Sequence, residues 1–314
     1  MFMEGNRLAA EVIAQVKQAV VGKDEVLAKM LLAILARGHV LLEDVPGVGK
    51  TTMALAFSRA LDLGYNRVQF TPDVMPSDLT GFTLYNREAN RMEYRPGALM
   101  CNLFLADELN RANSRTQSAL LEAMEEGQVT VDGRTHPVPQ PFLVIATQNP
   151  TGVAGTQPLP DSQLDRFMIR LTIGYPRPED ELEMVRRRQN RSLLEQVRRV
   201  VDRQGLERLR ESVDQIYIGD PVLEYIVRLT AATRENSKVL QGASPRATLA
   251  LASAGRALAL MRGRDYVLPE DIQAVYTDVV AHRLILTPSA QAKDRDGAAL
   301  CGEVLHQVKP PRLR

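Results

Sequence analysis

The sequence predicts an α/β fold in which a parallel β-sheet flanked by helices is followed by a smaller all-helical region. In the first half of the chain, short apolar runs alternate with helical stretches, and the second half has an almost wholly helical pattern. Continuous apolar runs are typical of strands covered on both faces, and intervening helices imply parallel crossovers. The pattern changes at GYPRPED, residues 174–180, where glycine and prolines end the last strand. We therefore predict an α/β core over 1–176 and a helical domain over 177–314.

The predicted strands of the core are apolar runs rich in Val, Ile, Leu and Phe. They are HVLLE at 39–43, RVQF at 67–70, NLFLAD at 102–107, FLVIAT at 142–147 and MIRLTI at 168–173. Two insertions interrupt this alternation, and we predict a hairpin in each, near 80–100 and near 128–140. The second contains Asp132-Gly133, which is a favoured two-residue hairpin turn.

Composition limits the classes of function. A length of 314 residues suggests about two domains, and the net charge of +1 gives no reason to expect nucleic acid as a partner. The isolated Cys101 and Cys301 argue against a disulfide framework or a zinc site and are typical of a reducing compartment. No apolar run reaches the roughly 18 residues that span a bilayer. We predict a cytoplasmic protein without a membrane span.

The stretch LLEDVPGVGKTT, residues 41–52, has the pattern of a phosphate-binding loop between a strand and a helix. In such a loop, backbone N–H groups and the positive end of the helix point at the phosphates. Asp44 stands where the pattern has its first glycine, and we expect its side chain to turn away. The alternative, a glycine-rich turn with a solvated lysine, is disfavoured by the flanking strand and helix. The predicted nucleotide-binding residues are Pro46, Gly47, Val48, Gly49, Lys50, Thr51 and Thr52.

Two further strands end in polar side chains suited to nucleotide hydrolysis. LFLADE ends in Asp107 and Glu108, for which we predict a Mg²⁺ ligand and a general base, respectively. Thr51 is the second predicted Mg²⁺ ligand. FLVIATQNP ends near Asn149, which we expect to orient the attacking water or to contact the γ-phosphate, because ligands bind at the carboxyl ends of parallel strands. Alternatively, the acidic pair caps a helix and Asn149 is a turn residue before Pro150.

With these elements in order, the chain resembles the MoxR family of AAA+ ATPases. The resemblance covers nearly the whole length and rests on VVGKDEVLAKMLLAILARGHVLLEDVPGVGKTT, LADELNRANSRTQSALLEAMEEGQVTVDG, ATQNP, LPDSQLDRF and GASPRATLAL. It implies an AAA+ P-loop core with a helical lid, and ATP with Mg²⁺ as ligands. Loops with a residue like Asp44 are common in this family.

The resemblance also implies roles that the residues alone do not establish. Val20, Val21 and Gly22 are similar to the segment that lines the adenine pocket. Arg166 in LDRF is similar to an arginine finger that reaches the γ-phosphate of a neighbouring subunit, and Arg246 in GASPR to a second sensor arginine. Whether Arg246 acts on its own or a neighbouring site stays open. Taken alone, either arginine is more often a surface salt-bridge residue.

As a function, the resemblance implies an ATP-driven homo-oligomeric ring, expected to be a hexamer, that remodels, matures or activates a protein complex. Metal or cofactor insertion is one such role, and a protein with a von Willebrand factor A domain is the expected partner beside a protein client. Alternatives are a nucleic-acid motor, disfavoured by the near-neutral charge, a motor subunit like that of magnesium chelatase, and a non-hydrolysing scaffold, disfavoured by intact Lys50, Asp107 and Glu108.

Overall fold

A computed structural model of the chain describes residues 2–43, 47–149, 159–188, 193–292 and 296–312. Strands in the described residues are β1 (Val40–Glu43), β2 (Tyr65–Gln69), β3 (Gly81–Asn86), β4 (Arg91–Pro96), β5 (Leu103–Asp107), β6 (Gln128–Val131), β7 (Arg134–Pro137), β8 (Leu143–Gln148), β9 (Ile169–Leu171), β10 (Val239–Gln241) and β11 (Ile285–Leu286). Helices of the first half are α1 (Phe2–Ala19), α2 (Asp24–Leu35), α3 (Lys50–Ala60), α4 (Pro76–Thr80), α5 (Ser114–Glu126) and α6 (Asp161–Leu164). Later helices are α7 (Pro178–Arg188), α8 (Arg203–Asp214), α9 (Asp220–Arg234), α10 (Pro245–Met261), α11 (Pro269–Val280), α12 (Pro288–Gln291) and α13 (Gly297–Gln307).

Five parallel strands form the central sheet in the order β2–β5–β8–β1–β9. Side chains on alternate positions of β5 join different apolar clusters: Leu103 and Leu105 face one side, and Phe104 faces the other. The first cluster contains residues of α1, α2 and α3, and the second contains residues of α4 and α5. The predicted fold class, a parallel sheet covered by helices on both faces, is confirmed.

The two edges of this sheet organise the rest of the molecule. Because all five strands are parallel, they begin at one edge, here called the amino edge, and end at the other, the carboxyl edge. Strands β1 and β8 contain 4 and 6 residues, so the two edges are separated by roughly 13–20 Å at about 3.3 Å per residue.

The helices that follow β9 pack on the same apolar cluster as α1 and α2. That cluster contains Val12 and Leu31 as well as Leu251 of α10 and Val275 of α11, all fully buried. Helix α10 packs against α1, α2, α8, α9 and α11. The helical region also contains a short antiparallel pair, β10 with β11, which its sequence pattern did not indicate because the two strands contain only 3 and 2 residues.

Two antiparallel hairpins extend from the core. Strands β3 and β4 pair within residues 81–96, and β6 pairs with β7 across Asp132 and Gly133, which both have positive φ values of 50° and 73°. The rings of Tyr94 and His136 stack with centroids 3.7 Å apart, so the hairpins support each other. Among the described residues, no helix combines the length and apolar character needed to cross a bilayer.

Candidate nucleotide-binding site

The predicted phosphate loop leads directly into α3. Gly47 and Gly49 have φ values of 90° and 94°, in the left-handed region that favours glycine. A Cβ added to either glycine would meet no atom of the described residues within 4 Å, which leaves room there for a ligand. Pro46, like Asp44, lies outside the described residues.

The first turn of α3 follows the loop directly, and the backbone N–H groups of a first turn have no partner within the helix. Gly49 occupies the N-cap position, and no side chain among the described residues caps the helix there. Uncapped N–H groups at a helix start bind anions. Lys50 is buried, Thr51 and Thr52 are half-buried, and Val48 packs against the apolar cluster of the sheet. This combination of open glycines, free helix start and adjacent lysine fits a phosphate chain.

Asp107 ends β5 at the carboxyl edge and is held by two neighbouring strands. Its Oδ2 accepts hydrogen bonds from Nη2 and Nε of Arg67, at 2.7 and 3.2 Å, and its Oδ1 accepts one from Oγ1 of Thr147 at 2.7 Å. A carboxylate oxygen can accept more than one such bond. The fixed carboxylate therefore retains acceptor capacity. A carboxylate and a hydroxyl such as that of Thr51 are the oxygen donors suited to Mg²⁺, which takes one or two protein ligands beside phosphate and water.

Glu108 has a left-handed backbone with φ 57° and ψ 47°, a conformation that costs a non-glycine residue energy and occurs often at functional sites. Its N–H donates to Oγ1 of Thr147 at 2.8 Å. Its Oε2 accepts a bond from Nη1 of Arg111 at 2.7 Å. That bond, supported by a bond from the Asn149 side chain, lowers the pKa of Glu108 despite partial burial. The carboxylate is thus ionised and able to accept a proton.

Asn149 is buried next to Glu108, after the end of β8. Asn110 fixes its backbone from both sides: Nδ2 of Asn110 donates to the Asn149 carbonyl at 3.1 Å, and the Asn149 N–H donates to Oδ1 of Asn110 at 3.4 Å. The structure therefore brings Asp107, Glu108 and Asn149 together at the carboxyl edge, as their positions after parallel strands indicated.

The predicted adenine segment lies between α1 and α2, beside the connection into the helical region. Val20 is buried and Val21 half-buried. Gly22 has a φ of 70°, and a Cβ there would lie 2.1–2.5 Å from the carboxyl group of Asp180 on α7. The next residue, Lys23, donates from Nζ to the carbonyls of residues 173, 174 and 175 at 2.9–3.0 Å. The segment is thus tied to both the linker and the first helix after it.

Arg166 and Arg246 lie together, on the amino edge. Nη2 of Arg166 is 3.2 Å from Oε2 of Glu125, and Nη2 of Arg246 is hydrogen-bonded to Oε1 of the same carboxylate. Arg166 precedes β9, whose approach is fixed by the N–H of Met168 donating to the His39 carbonyl just before β1. In one chain, these arginines are therefore separated from the phosphate loop by the length of the sheet.

Several partners at the site gave no signal in the local sequence pattern. The residues that hold the predicted ones are Arg67, Asn110, Arg111, Glu125, Asp180 and Lys23. Each acts across the fold or supports a neighbour's side chain. The one available signal was that parallel strands end at a common edge. That signal places Thr147, at the end of β8, near Asp107, at the end of β5.

Comparisons with known proteins agree with this geometry. Residues 39–169 match the family model described as ATPase family associated with various cellular activities (AAA), and residues 231–301 match the AAA lid domain. Chaperone MoxR1 of Mycobacterium tuberculosis is 41% identical, covering 98% of this chain and 85% of the relative. The chain belongs to the MoxR family of AAA+ ATPases. Its ATPase class is therefore established.

Two further relatives extend over nearly the whole MoxR-family chain. The protein YeaC of Bacillus subtilis is 43% identical, covering 98% of this chain and 96% of the relative. A crystal structure of a protein from Cytophaga hutchinsonii is 38% identical with a TM-score of 0.92, covering 99% of this chain and 97% of that one. The segment matching the AAA model contains Asp107, Glu108, Asn149 and Arg166, and the lid match contains Arg246.

Proposed function

We propose that this MoxR-family ATPase hydrolyses ATP at sites shared between neighbouring copies in a ring, and uses the energy to remodel a protein complex. The observation that carries this proposal is the separation within one chain of the phosphate loop from Arg166 and Arg246, which lie at opposite edges of the sheet. A second copy with its amino edge against the first copy's carboxyl edge would complete the site.

At the carboxyl edge, the loop N–H groups and Lys50 bind the phosphates of ATP. Thr51 and Asp107 would hold Mg²⁺, which would supply positive charge to offset that of the phosphates. Asn149 orients a water, and Glu108 accepts its proton as the water oxygen bonds to the γ-phosphorus. The bond to the β–γ bridging oxygen breaks, so that ADP and phosphate are the products. Arg111 keeps Glu108 ionised, the form that can take a proton, but the lowered pKa also makes this carboxylate a weaker base.

At the amino edge, we propose that both Arg166 and Arg246 act on the neighbour's γ-phosphate. The planar guanidinium group suits the charge that spreads over a transferring phosphoryl group. Both arginines contact Glu125, so Arg246 lies on the same edge as Arg166 and away from the phosphate loop of its own chain. This supports a role for both arginines at the same neighbouring site.

We propose that hydrolysis rotates a lid over 177–314 against a core over 1–176 and thereby moves the two hairpins. The β3–β4 hairpin exposes Phe82, Tyr85 and Met92, which suits contact with a protein client. The relative from Mycobacterium tuberculosis is named a chaperone, which supports remodelling of a protein complex, including metal or cofactor insertion. A hexameric ring, a von Willebrand factor A domain partner and a cytoplasmic location belong to the same proposal.

The shared site is tested by mixing two inactive variants. Arg166→Ala keeps its own phosphate site but offers its neighbour no finger, whereas Glu108→Gln offers a normal finger but cannot hydrolyse. Mixed oligomers should hydrolyse ATP faster than the sum of the separate variants, because some interfaces combine an intact Glu108 with an intact Arg166. Turnover per subunit of the unaltered protein should also rise with protein concentration. An Arg166→Ala mixture without recovery, or turnover independent of concentration, would overturn the proposal.

A further inference from the structure

One carboxylate connects the two arginines of the amino edge. Glu125 lies in the last turn of α5, and its two oxygens have separate partners: Oε2 faces Arg166 at 3.2 Å, and Oε1 accepts a bond from Arg246. Arg166 follows the short helix α6, and Arg246 lies in the first turn of α10. Glu125 therefore joins two guanidinium groups that come from the core and from the helical region.

An anion at this position favours the close approach of the two arginines. Two guanidinium groups on one face repel each other, and a carboxylate between them offsets that repulsion. The side chains of Glu125, Arg166 and Arg246 are 35%, 31% and 49% exposed, so the pairs add little to the stability of the fold. Two cations with one anion leave a net positive charge, which suits an incoming phosphate.

The backbone on either side of this group is held firmly. Nε2 of His39 lies 3.2 Å from the carbonyl of Met124, immediately before Glu125. The N–H of Gly127, which has a φ of 64°, donates to the carbonyl of residue 123 and closes the end of α5.

A second set of bonds fixes the residues next to each arginine. Asp165 accepts hydrogen bonds from Nε of Arg283 at 2.8 Å and from Oγ of Ser244 at 3.0 Å. Asp165 directly precedes Arg166, and Ser244 lies two residues before Arg246. The arginine backbones are thus fixed by Asp165, while Glu125 contacts the guanidinium groups themselves.

We propose that Glu125 is a positioning residue that holds Arg166 and Arg246 side by side for the triphosphate of a neighbouring copy. The inference rests on the proposed shared site and adds a residue to it. Glu125 acts through the arginines and touches no substrate. Its contribution is preorganisation, since donors that are already aimed at the transferring phosphoryl group need no rearrangement during the reaction.

The test is steady-state kinetics of Glu125→Gln, with Glu122→Gln as the matched control. Glu122 is an exposed glutamate one turn earlier on α5. Glu125→Gln should lower kcat roughly 10- to 100-fold, the scale expected for catalytic groups misplaced by about 1 Å. The KM for ATP should change little because the phosphate loop lies on the other edge. Glu125→Asp, which keeps the charge, should recover part of the loss, and Glu122→Gln should match the unaltered protein.

Mixing separates this inference from the shared-site proposal. Glu125→Gln mixed with Glu108→Gln should regain turnover, because a Glu108→Gln neighbour supplies correctly held arginines to the intact phosphate site of the Glu125→Gln subunit. If this mixture fails while Arg166→Ala with Glu108→Gln recovers, the shared site stands and the role of Glu125 is overturned. If both mixtures fail, both proposals fall. Faster hydrolysis by Glu125→Gln, or a rise in KM with unchanged kcat, would also overturn the positioning role.

Discussion

The carboxyl and amino edges of the central sheet are built in different ways. At the carboxyl edge, functional side chains lie where strands end: the loop follows β1, Asp107 ends β5 and Glu108 follows it, and Asn149 follows β8. At the amino edge, the functional group combines Glu125, Arg166 and Arg246, and Glu125 and Arg246 are 121 residues apart. One edge is a set of contiguous motifs, and the other exists only after the chain has folded.

The two edges also differ in how charge is balanced. At the carboxyl edge, each acidic residue has its own arginine, since Arg67 pairs with Asp107 and Arg111 with Glu108. At the amino edge, two arginines share the single carboxylate of Glu125. Both acids are thereby held in place, whereas the arginines keep N–H donors for another anion. The comparison predicts that damage at either edge stops hydrolysis, but for different reasons.

The largest expected effect is that of Arg166→Ala. Loss of the finger should lower kcat roughly 1,000- to 100,000-fold, the range for arginines that stabilise a transferring phosphoryl group. The affinity for ATP should be nearly unchanged because binding depends on the other edge. Turnover assays combined with titration of a fluorescent ATP analogue measure both quantities. Full activity in this variant would remove the functional distinction between the edges.

Glu108→Gln should have the next largest effect. Removal of the general base should lower kcat roughly 100- to 10,000-fold, while ATP stays bound and accumulates unhydrolysed. The nucleotide retained after rapid gel filtration, identified as ATP or ADP, tests this outcome. Predominantly bound ADP would show that another group accepts the proton.

Lowering the pH should reduce the stability of the fold because of His39, which lies at the amino edge. Its Nδ1 accepts the N–H of Val144 and its Nε2 faces the Met124 carbonyl, so the neutral ring fits. Burial and nearby Arg210 lower the pKa of His39 from 6.5 to about 4. The unfolded chain therefore binds more protons between these values, and this residue's share of stability, roughly 3 kcal/mol, is lost as pH falls from about 6.5 to about 4.

Urea unfolding at several pH values, compared with His39→Asn, measures this share. The variant keeps an acceptor near the Val144 N–H but cannot titrate, so its stability should fall less steeply between pH 6.5 and pH 5. Equal slopes would contradict the assignment. Buried His282, whose pKa is also lowered, is present in both proteins and cancels in the comparison.

The smallest expected effect is a shift in the acid limb of the profile of kcat/KM against pH. Arg111 lowers the pKa of Glu108, so Arg111→Met should raise that pKa and move the acid limb of kcat/KM to higher pH. Activity near pH 8 should change little, and the loss should grow to a few-fold as pH approaches 5. An unshifted limb would mean that a group other than Glu108 controls it.

The sequence predicted what contiguous patterns encode. Apolar runs indicated the parallel sheet, and the resemblance to MoxR proteins identified the family and its ATPase class. The spacing of Gly47, Gly49 and Lys50 indicated a strand, a loop and a helix start, which lie where expected. The catalytic roles of the individual residues stay predictions, because only activity measurements test them.

The contacts that the sequence did not predict mostly join residues that are far apart in the chain and meet only in the folded structure. No local spacing indicates that Glu125 meets Arg246, or that Lys23 reaches the carbonyls of residues 173–175. The β10–β11 pair is too short for any periodicity. Arg111 resembles any exposed arginine until the left-handed backbone of Glu108 turns the carboxylate towards it.

The bond between Arg246 and Glu125 spans the junction between core and lid. A rotation of the lid would move the Arg246 guanidinium group, on α10, relative to the Glu125 carboxylate, on α5. In the proposed ring, the position of one subunit's helical region would thus affect the arginines that it offers to the triphosphate of the next subunit.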